Sequence, residues 1–376
     1  MEIVRARLEE LEIPLVEPFE TSFGRTVRRR ALFVVLEDRS GLHGIGECVA
    51  AEEPLYSEET IATASWAIER LILPRLAGAW DGDPARGLPA ELDRFRGHRM
   101  ARAAVEMALL DLAGRLSRRS VARLVGATRS RVEVGVSVGM MGNSAALVDR
   151  VGRYREAGYG RVKLKVRPGN DAGAVRALRR AFPDLRLWVD ANQAYPARAV
   201  RRIAGWATRY GVEQVEQPFA ERDLLAHAAL ARAGPFRVCL DESVVDGGSL
   251  GTAIGVGALT SLNVKPGRVG GSVPARGLAR AARRAGVAPW VGGMLETGIG
   301  RAHGVALAAR PEFTLPADLS ASARYFPEEI IDRPFELGPG STLPVPTGPG
   351  SGVEVDPRAW RRFRRKARSI PLRKPP

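Results

Sequence analysis

The chain has 376 residues, 45% of them hydrophobic, and carries 57 Lys and Arg against 42 Asp and Glu, a formal charge of +15. This content supports a packed core and excludes a disordered chain, and the lack of any apolar run near the ~18 residues that cross a bilayer excludes a membrane-spanning helix. The two cysteines, Cys48 and Cys239, sit in apolar strand-like surroundings and read as buried free thiols, which excludes a disulfide scaffold.

In chain order, residues 3–8, 30–36 and 44–48 alternate as short strands, and 17–26 reads as a loop carrying Pro18, Thr21, Ser22 and Gly24. From Ser57, taken as a helix start, to Leu116 the period becomes helical. Residues 133–138 then open a series of apolar runs at 161–166, 185–189, 212–215, 237–240, 261–264 and 289–291, with a weaker candidate at 313–315. Five of these runs end in a chemically active residue: Lys165, Asp190, Glu216, Asp241 and Lys265, at intervals of 25, 26, 25 and 24. That interval is about what one strand, one three-turn helix and two loops consume. Parallel strands ending in active groups point to a (β/α) barrel with its site at the C-terminal strand ends. The expected fold is therefore a modified (β/α)7β TIM-like barrel over 127–319, with an α+β capping domain over 1–126 and a segment over 320–376 that returns to it. The charged opening decapeptide shows no signal-peptide pattern, so a cytoplasmic location is expected.

The basic excess is mostly arginine scattered over helix faces, such as Arg176, Arg179, Arg180, Arg201, Arg202 and Arg209, which reads as a solvated surface and makes nucleic acid an unfavoured partner. The densest cluster, Arg358 to Lys374, is interrupted by Trp360 and Phe363 and is expected to be a terminal amphipathic helix with its aromatics inward.

Asp190, Glu216 and Asp241 are hard oxygen ligands on three consecutive strands. Carboxylates converging in one barrel mouth repel unless a cation neutralises them, so Mg²⁺, or Mn²⁺, is the expected cofactor. None of the four histidines, His43, His98, His227 and His303, falls at these positions, which disfavours zinc. Lys163 and Lys165 lie two apart and face the barrel interior together. A second ammonium, desolvation and a metal each disfavour the charged form, so their pKa values are expected to fall toward that of a working base. With Lys265 across the barrel, the arrangement suits removal of the proton α to a carboxylate, and a Lys base with Mg²⁺ is the pattern associated with enolase-type sites.

The sequence is similar to the enolase superfamily, in its muconate lactonizing enzyme-like group, and specifically resembles the o-succinylbenzoate synthase and N-succinylamino acid (N-acylamino acid) racemase family. The resemblance rests on the segment Pro18 to Gly24, on Gly97-His98-Arg99-Met100, Gly135 to Gly139, Lys163-Leu164-Lys165, Val189 to Asn192, Glu216-Gln217-Pro218, Leu240 to Ser243, Asn263 to Gly271 and Gly292 to Gly298. It implies a Mg²⁺ held by Asp190, Glu216 and Asp241, Lys165 and Lys265 as acid/bases, Lys163 as a tuning group and Asn192 as support for the metal shell. Ser137, Ser22, Phe23, Gly293 and Met294 would lie near the acyl or succinyl group, and Arg268 resembles a position found in racemising members. The implied activity is dehydration of 2-succinyl-6-hydroxy-2,4-cyclohexadiene-1-carboxylate in menaquinone biosynthesis, together with N-acylamino acid racemisation. A dedicated racemase, a muconate cycloisomerase-like enzyme or a dipeptide epimerase are the alternatives. Asp318 lacks the paired acid of the epimerases, because Ala317, Leu319 and Ser320 flank it. A basic non-catalytic scaffold ranks last. The expected partner is a small-molecule carboxylate, with no membrane, and the expected assembly is a homo-oligomer.

Overall fold

The alternation near the start of the chain forms a long antiparallel hairpin, β1 (Glu2–Thr21) and β2 (Gly24–Asp38), followed by β3 (His43–Cys48). The loop expected over 17–26 is instead mostly strand, since Phe19, Glu20 and Thr21 still pair with Thr26, Arg25 and Gly24. Only Ser22 and Phe23 remain as a turn, and Gly24 leaves it at φ 147°, a value that suits glycine. In this computed structural model residues 1–76, 78, 79, 83, 86–89, 92 and 94–372 are described.

β2 is buried along almost its whole second half because it serves two cores. Leu32, Val34 and Leu36 pack into the capping core with the helix Arg99–Leu116, while Ala31 and Phe33 turn toward the barrel. β3 lies so close to that helix that a Cβ on Gly46 would stand 2.0 Å from the Ala104 carbonyl oxygen. The first helix, Ile61–Ala67, starts later than expected: Thr60, not Ser57, is its cap, exchanging hydrogen bonds with Thr63 in a capping box.

Seven strands form the second sheet in chain order: β4 (Val136–Val138), β5 (Arg161–Lys165), β6 (Arg186–Asp190), β7 (Gln214–Glu216), β8 (Arg237–Leu240), β9 (Ser261–Val264) and β10 (Ala288–Val291). Every neighbouring pair is parallel. The first run is shorter than expected. Arg131–Glu133 leaves the barrel to pair with Thr342–Pro344, and the break falls at Gly135, whose Cβ would lie 2.3 Å from the buried Arg161 guanidinium carbon. The weakly marked eighth position is an extended segment rather than a regular strand. Thr314 and Asp318 donate their N–H groups to Pro289 and Val291 of β10, at 3.2 and 2.9 Å, and Ala317 exchanges hydrogen bonds with Glu133 and Gly135 beside β4. This segment closes the barrel and aims Asp318 into it.

The basic tail departs from the expected helix. Pro357–Phe363 is helical and buries Trp360 and Phe363, but the chain then extends into β11 (Arg364–Pro371), antiparallel to β1. The acids of β1 account for this, since Arg364, Lys366 and Arg365 reach Glu9, Glu10 and Glu12 at 3.3, 3.7 and 3.5 Å. Lys374 lies outside the described residues. Arg176, Arg180, Arg201, Arg202 and Arg209 are exposed, while half-buried Arg179 donates to the carbonyls of Tyr210, Pro183 and Gly211. Both cysteines are free and buried. No helix among the described residues is long and apolar enough to cross a membrane.

Two carboxylates fasten the cap to the barrel at helix N-termini, where unpaired N–H groups favour an acceptor. Glu47 of β3 accepts from the N–H groups of Thr297 and Gly300, at 3.1 and 3.0 Å, at the start of the helix Gly298–Ala308. Glu106 accepts from Ser272 and Val273 at the start of Ser272–Arg284. Burial pushes both carboxyls up to about 7, against Arg29 and Thr297 at Glu47 and against those backbone donors and Arg276 at Glu106. A carboxyl whose folded pKa exceeds its unfolded value contributes stability that is complete below about 4.5 and is lost as pH rises through about 7. Thermal unfolding between pH 4.5 and 8 should show this fall, and Glu47→Gln should remove a share on the order of 3 kcal/mol. An unchanged slope in that variant would exclude Glu47 as its source.

Candidate active site

The parallel ladder places Lys165 beside Asp190, and Asp190 beside Glu216. Asp241 and Lys265 immediately follow β8 and β9, so the five positions face one barrel mouth. The three carboxylates are at most 1% exposed. Each is answered by a cation. Lys165 Nζ donates to Asp190 Oδ2 and Asn192 Oδ1, both at 2.7 Å. Lys163 Nζ lies 2.8 Å from Glu216, 2.8 Å from Asp318 and 3.2 Å from Asp190. Lys265 Nζ donates to Asp241 Oδ2 at 2.7 Å, and Arg268 pairs with the other oxygen of Asp241. Among the described residues no group of three or more His, Cys, Asp or Glu side chains is closed around a metal position. The carboxylates turn toward these amines instead of toward one another.

At Lys163 this pairing reverses the expected direction of the shift. Burial alone would lower Lys163, but Asp318, Glu216 and Asp190 more than offset it and hold the ammonium well above its ordinary range. Lys265 is likewise raised, by Asp241 and Tyr56 against burial. The acids split. Burial works against ionisation of Asp190 and Asp241, but Lys165 and Lys163 hold Asp190 low, and Lys265 and Arg268 hold Asp241 at about 2. Burial and the charge of Asp190 push Glu216 up to about 7, and burial with Asp241 pushes Glu242 to about 8.

A cavity of about 760 Å³ opens over these groups. Phe23, Ser137, Lys163, Lys165, Asn192, Lys265, Gly293 and Met294 line it, whereas Asp190, Glu216, Asp241, Arg268 and Ser22 do not. Ser22 acts on the site through the backbone, donating to the Asn192 carbonyl at 2.9 Å. Ser137 is committed to Asp318 at 2.7 Å, and Arg268 reaches no further than Asp241, the Val244 and Asn263 carbonyls and Tyr56. Asn192, Gln193, Gln217 and Leu295 adopt left-handed backbone, with φ of 41°, 68°, 35° and 59°. Such conformations persist only where surrounding bonds over-determine them. Gln217 illustrates this: its side chain accepts from the Asp241 N–H at 2.9 Å and donates to Ser243 at 2.7 Å, tying the end of β7 to that of β8.

Three residues of the site escaped the sequence reading. Tyr56 comes from the cap, and its hydroxyl donates to Asp241 at 2.9 Å and accepts from Lys265 at 3.2 Å; nothing in the local sequence marks it. Glu242 was visible only as a second acid after Asp241. Asp318, weighed only as an epimerase residue, joins Arg161 at 2.7 Å, Lys163 and Ser137 in the cavity wall. Arg161 is fully buried and lies 4.4 Å from the centre of the Trp188 ring. Asp318→Ala would leave the buried Arg161 without its carboxylate and take one of three carboxylates from Lys163, and a loss of about 3–5 kcal/mol in stability is expected by denaturant unfolding. A loss below about 1 kcal/mol would show that the network is not structural.

Residues 4–126 match the model of the mandelate racemase / muconate lactonizing enzyme N-terminal domain, and residues 146–359 that of the enolase C-terminal domain-like family. The chain belongs to the enolase superfamily. This superfamily member is 44% identical to an N-succinylamino acid racemase of Amycolatopsis sp, over 95% of its own length and 96% of the relative's. It is 39% identical to an o-succinylbenzoate synthase of Listeria innocua, over 98% of each chain. A solved enolase-superfamily structure from Listeria innocua superposes with a TM-score of 0.93 at 38% identity, covering 99% of this chain and 100% of the other. The expected modified barrel with its capping domain stands.

Proposed function

We propose that this chain removes the proton α to a carboxylate with the help of Mg²⁺, acting as an o-succinylbenzoate synthase and also racemising N-succinyl or other N-acyl amino acids. The observation that carries the reading is the pair Lys165 and Lys265, which reach one cavity from β5 and from the end of β9, above buried carboxylates. The relatives named for both reactions support it.

The donor set fits a hard divalent cation. All three acids offer oxygen only, and burial together with the charge of Asp190 pushes Glu216 up. One further buried oxygen nearby, Asn263 Oδ1, has no hydrogen-bond partner among the described residues. Asp190, Glu216 and Asp241 would hold the ion, which supplies positive charge to the substrate carboxylate as the α-carbon becomes acidic. Lys163, clamped by Asp318 and Glu216, serves as a fixed positive charge and not as a base. In the dehydration, Lys165 takes the α-proton of the cyclohexadiene carboxylate and returns it to the departing hydroxyl, so the ring loses one water. Lys265 faces the anion that develops. In racemisation one lysine takes the α-proton and the other delivers a proton to the opposite face.

The epimerase reading loses ground on one observation: Asp318 is spent on Arg161, Lys163 and Ser137 and is not free to hold a substrate amino group. Purified protein with Mg²⁺ should turn over both the synthase substrate and a panel of N-acyl amino acids. Inactivity on all of them would sink the assignment.

A further inference from the structure

The turn after β6 concentrates an unusual number of bonds on one residue. Asn192 is 5% exposed and held in left-handed backbone. Its N–H donates to Asp190 Oδ1 at 3.0 Å, and its carbonyl accepts from Ser22 of the hairpin tip at 2.9 Å. Its side-chain Oδ1 accepts from Lys165 Nζ at 2.7 Å, and its Nδ2 donates to Glu242 Oε1 at 3.2 Å.

A side-chain amide presents an acceptor on one side and two donors on the other, and a half-turn exchanges them. For Oδ1 to face the Lys165 amine, Nδ2 must have an acceptor, and Glu242 Oε1 is the acceptor found there. Without it, the amide can turn its NH₂ toward Lys165, and that amine loses one of the two partners that aim it. Lys265 is aimed by other bonds, to Asp241 and Tyr56, and Glu242 acts on it only as a nearby charge, which Glu242→Gln separates from the contact with Asn192.

We propose that Glu242 is a positioning residue for Lys165 alone, acting through the orientation of the Asn192 amide. The inference rests on the reading of Lys165 and Lys265 as the two bases and adds a residue that serves one face of the substrate.

The test follows exchange of the α-proton with deuterated water separately for the two enantiomers of an N-succinyl amino acid, with Lys165→Ala identifying the enantiomer that Lys165 serves. Glu242→Ala, or Glu242→Leu if the smaller side chain does not fold, should slow exchange of that enantiomer about tenfold or more and leave the other within about twofold. Glu242→Gln, whose carbonyl can still accept from Asn192, should restore most of the rate. Adding Glu242→Ala to Asn192→Ala should cost nothing further, because both act on one contact. Mg²⁺ affinity by calorimetry should remain near that of the parent. Equal slowing of both enantiomers, loss of Mg²⁺ affinity, or additive effects in the double variant would each overturn the positioning role. A parent protein that exchanges neither enantiomer would overturn the two-lysine reading first, and that outcome is visible before any variant is made.

Discussion

Lys165→Ala is expected to abolish solvent exchange of the α-proton in one enantiomer of an N-acyl amino acid and to spare the other, and Lys265→Ala is expected to do the reverse. Either change alone should block interconversion, by about 10²–10⁴-fold or more, the range that a positioned acid/base contributes. The two amines enter one cavity from separate places: Lys165 from β5, aimed by Asp190 and Asn192, and Lys265 after β9, aimed by Asp241 and Tyr56. On the two-base reading, each would reach the α-carbon from its own side. Lys163 is not expected to replace a missing Lys165, because its ammonium is clamped between Asp318 and Glu216. If one variant interconverts enantiomers near the parental rate, or if both silence the same enantiomer, Lys265 is an electrostatic stabiliser and the chemistry has one base.

Asp241→Asn should lose Mg²⁺-dependent turnover by about 10³-fold, since a cation contributes several kcal/mol to a transition state that gains negative charge. The change keeps the size of the side chain but removes the charge that answers Lys265 and Arg268. Those two cations would then repel each other across a neutral amide, so Mg²⁺ affinity by calorimetry and thermal stability should fall together. Chelation of the parent should stop turnover without that stability loss, which separates the metal from the ion-pair network. Normal rates in chelated parent, or in the variant, would refute the metal assignment.

The spacing of Lys165, Asp190, Glu216, Asp241 and Lys265 already implied a barrel and the end of it that carries the chemistry, because one βα unit consumes a nearly constant length and parallel strands put successive ends side by side. The strands 237–240 and 261–264 were legible to the residue, since apolar runs bounded by polar ends leave little freedom of register. Local pattern does not report partners distant in sequence, and the remaining features depended on such partners. The basic tail became strand β11 because acids of β1 lay beside it, and barrel closure at 314–318 depended on carbonyls and N–H groups of β10 and the start of the barrel. The partners of the lysines were equally hidden, because Asp318 and Tyr56, 155 and 209 positions away from Lys163 and Lys265, meet them only in the folded chain. Residue types and their interval determined which groups are present and roughly where. Only the tertiary structure decided which charge faces which, because Coulomb and desolvation energies depend on distance and burial and not on separation along the chain.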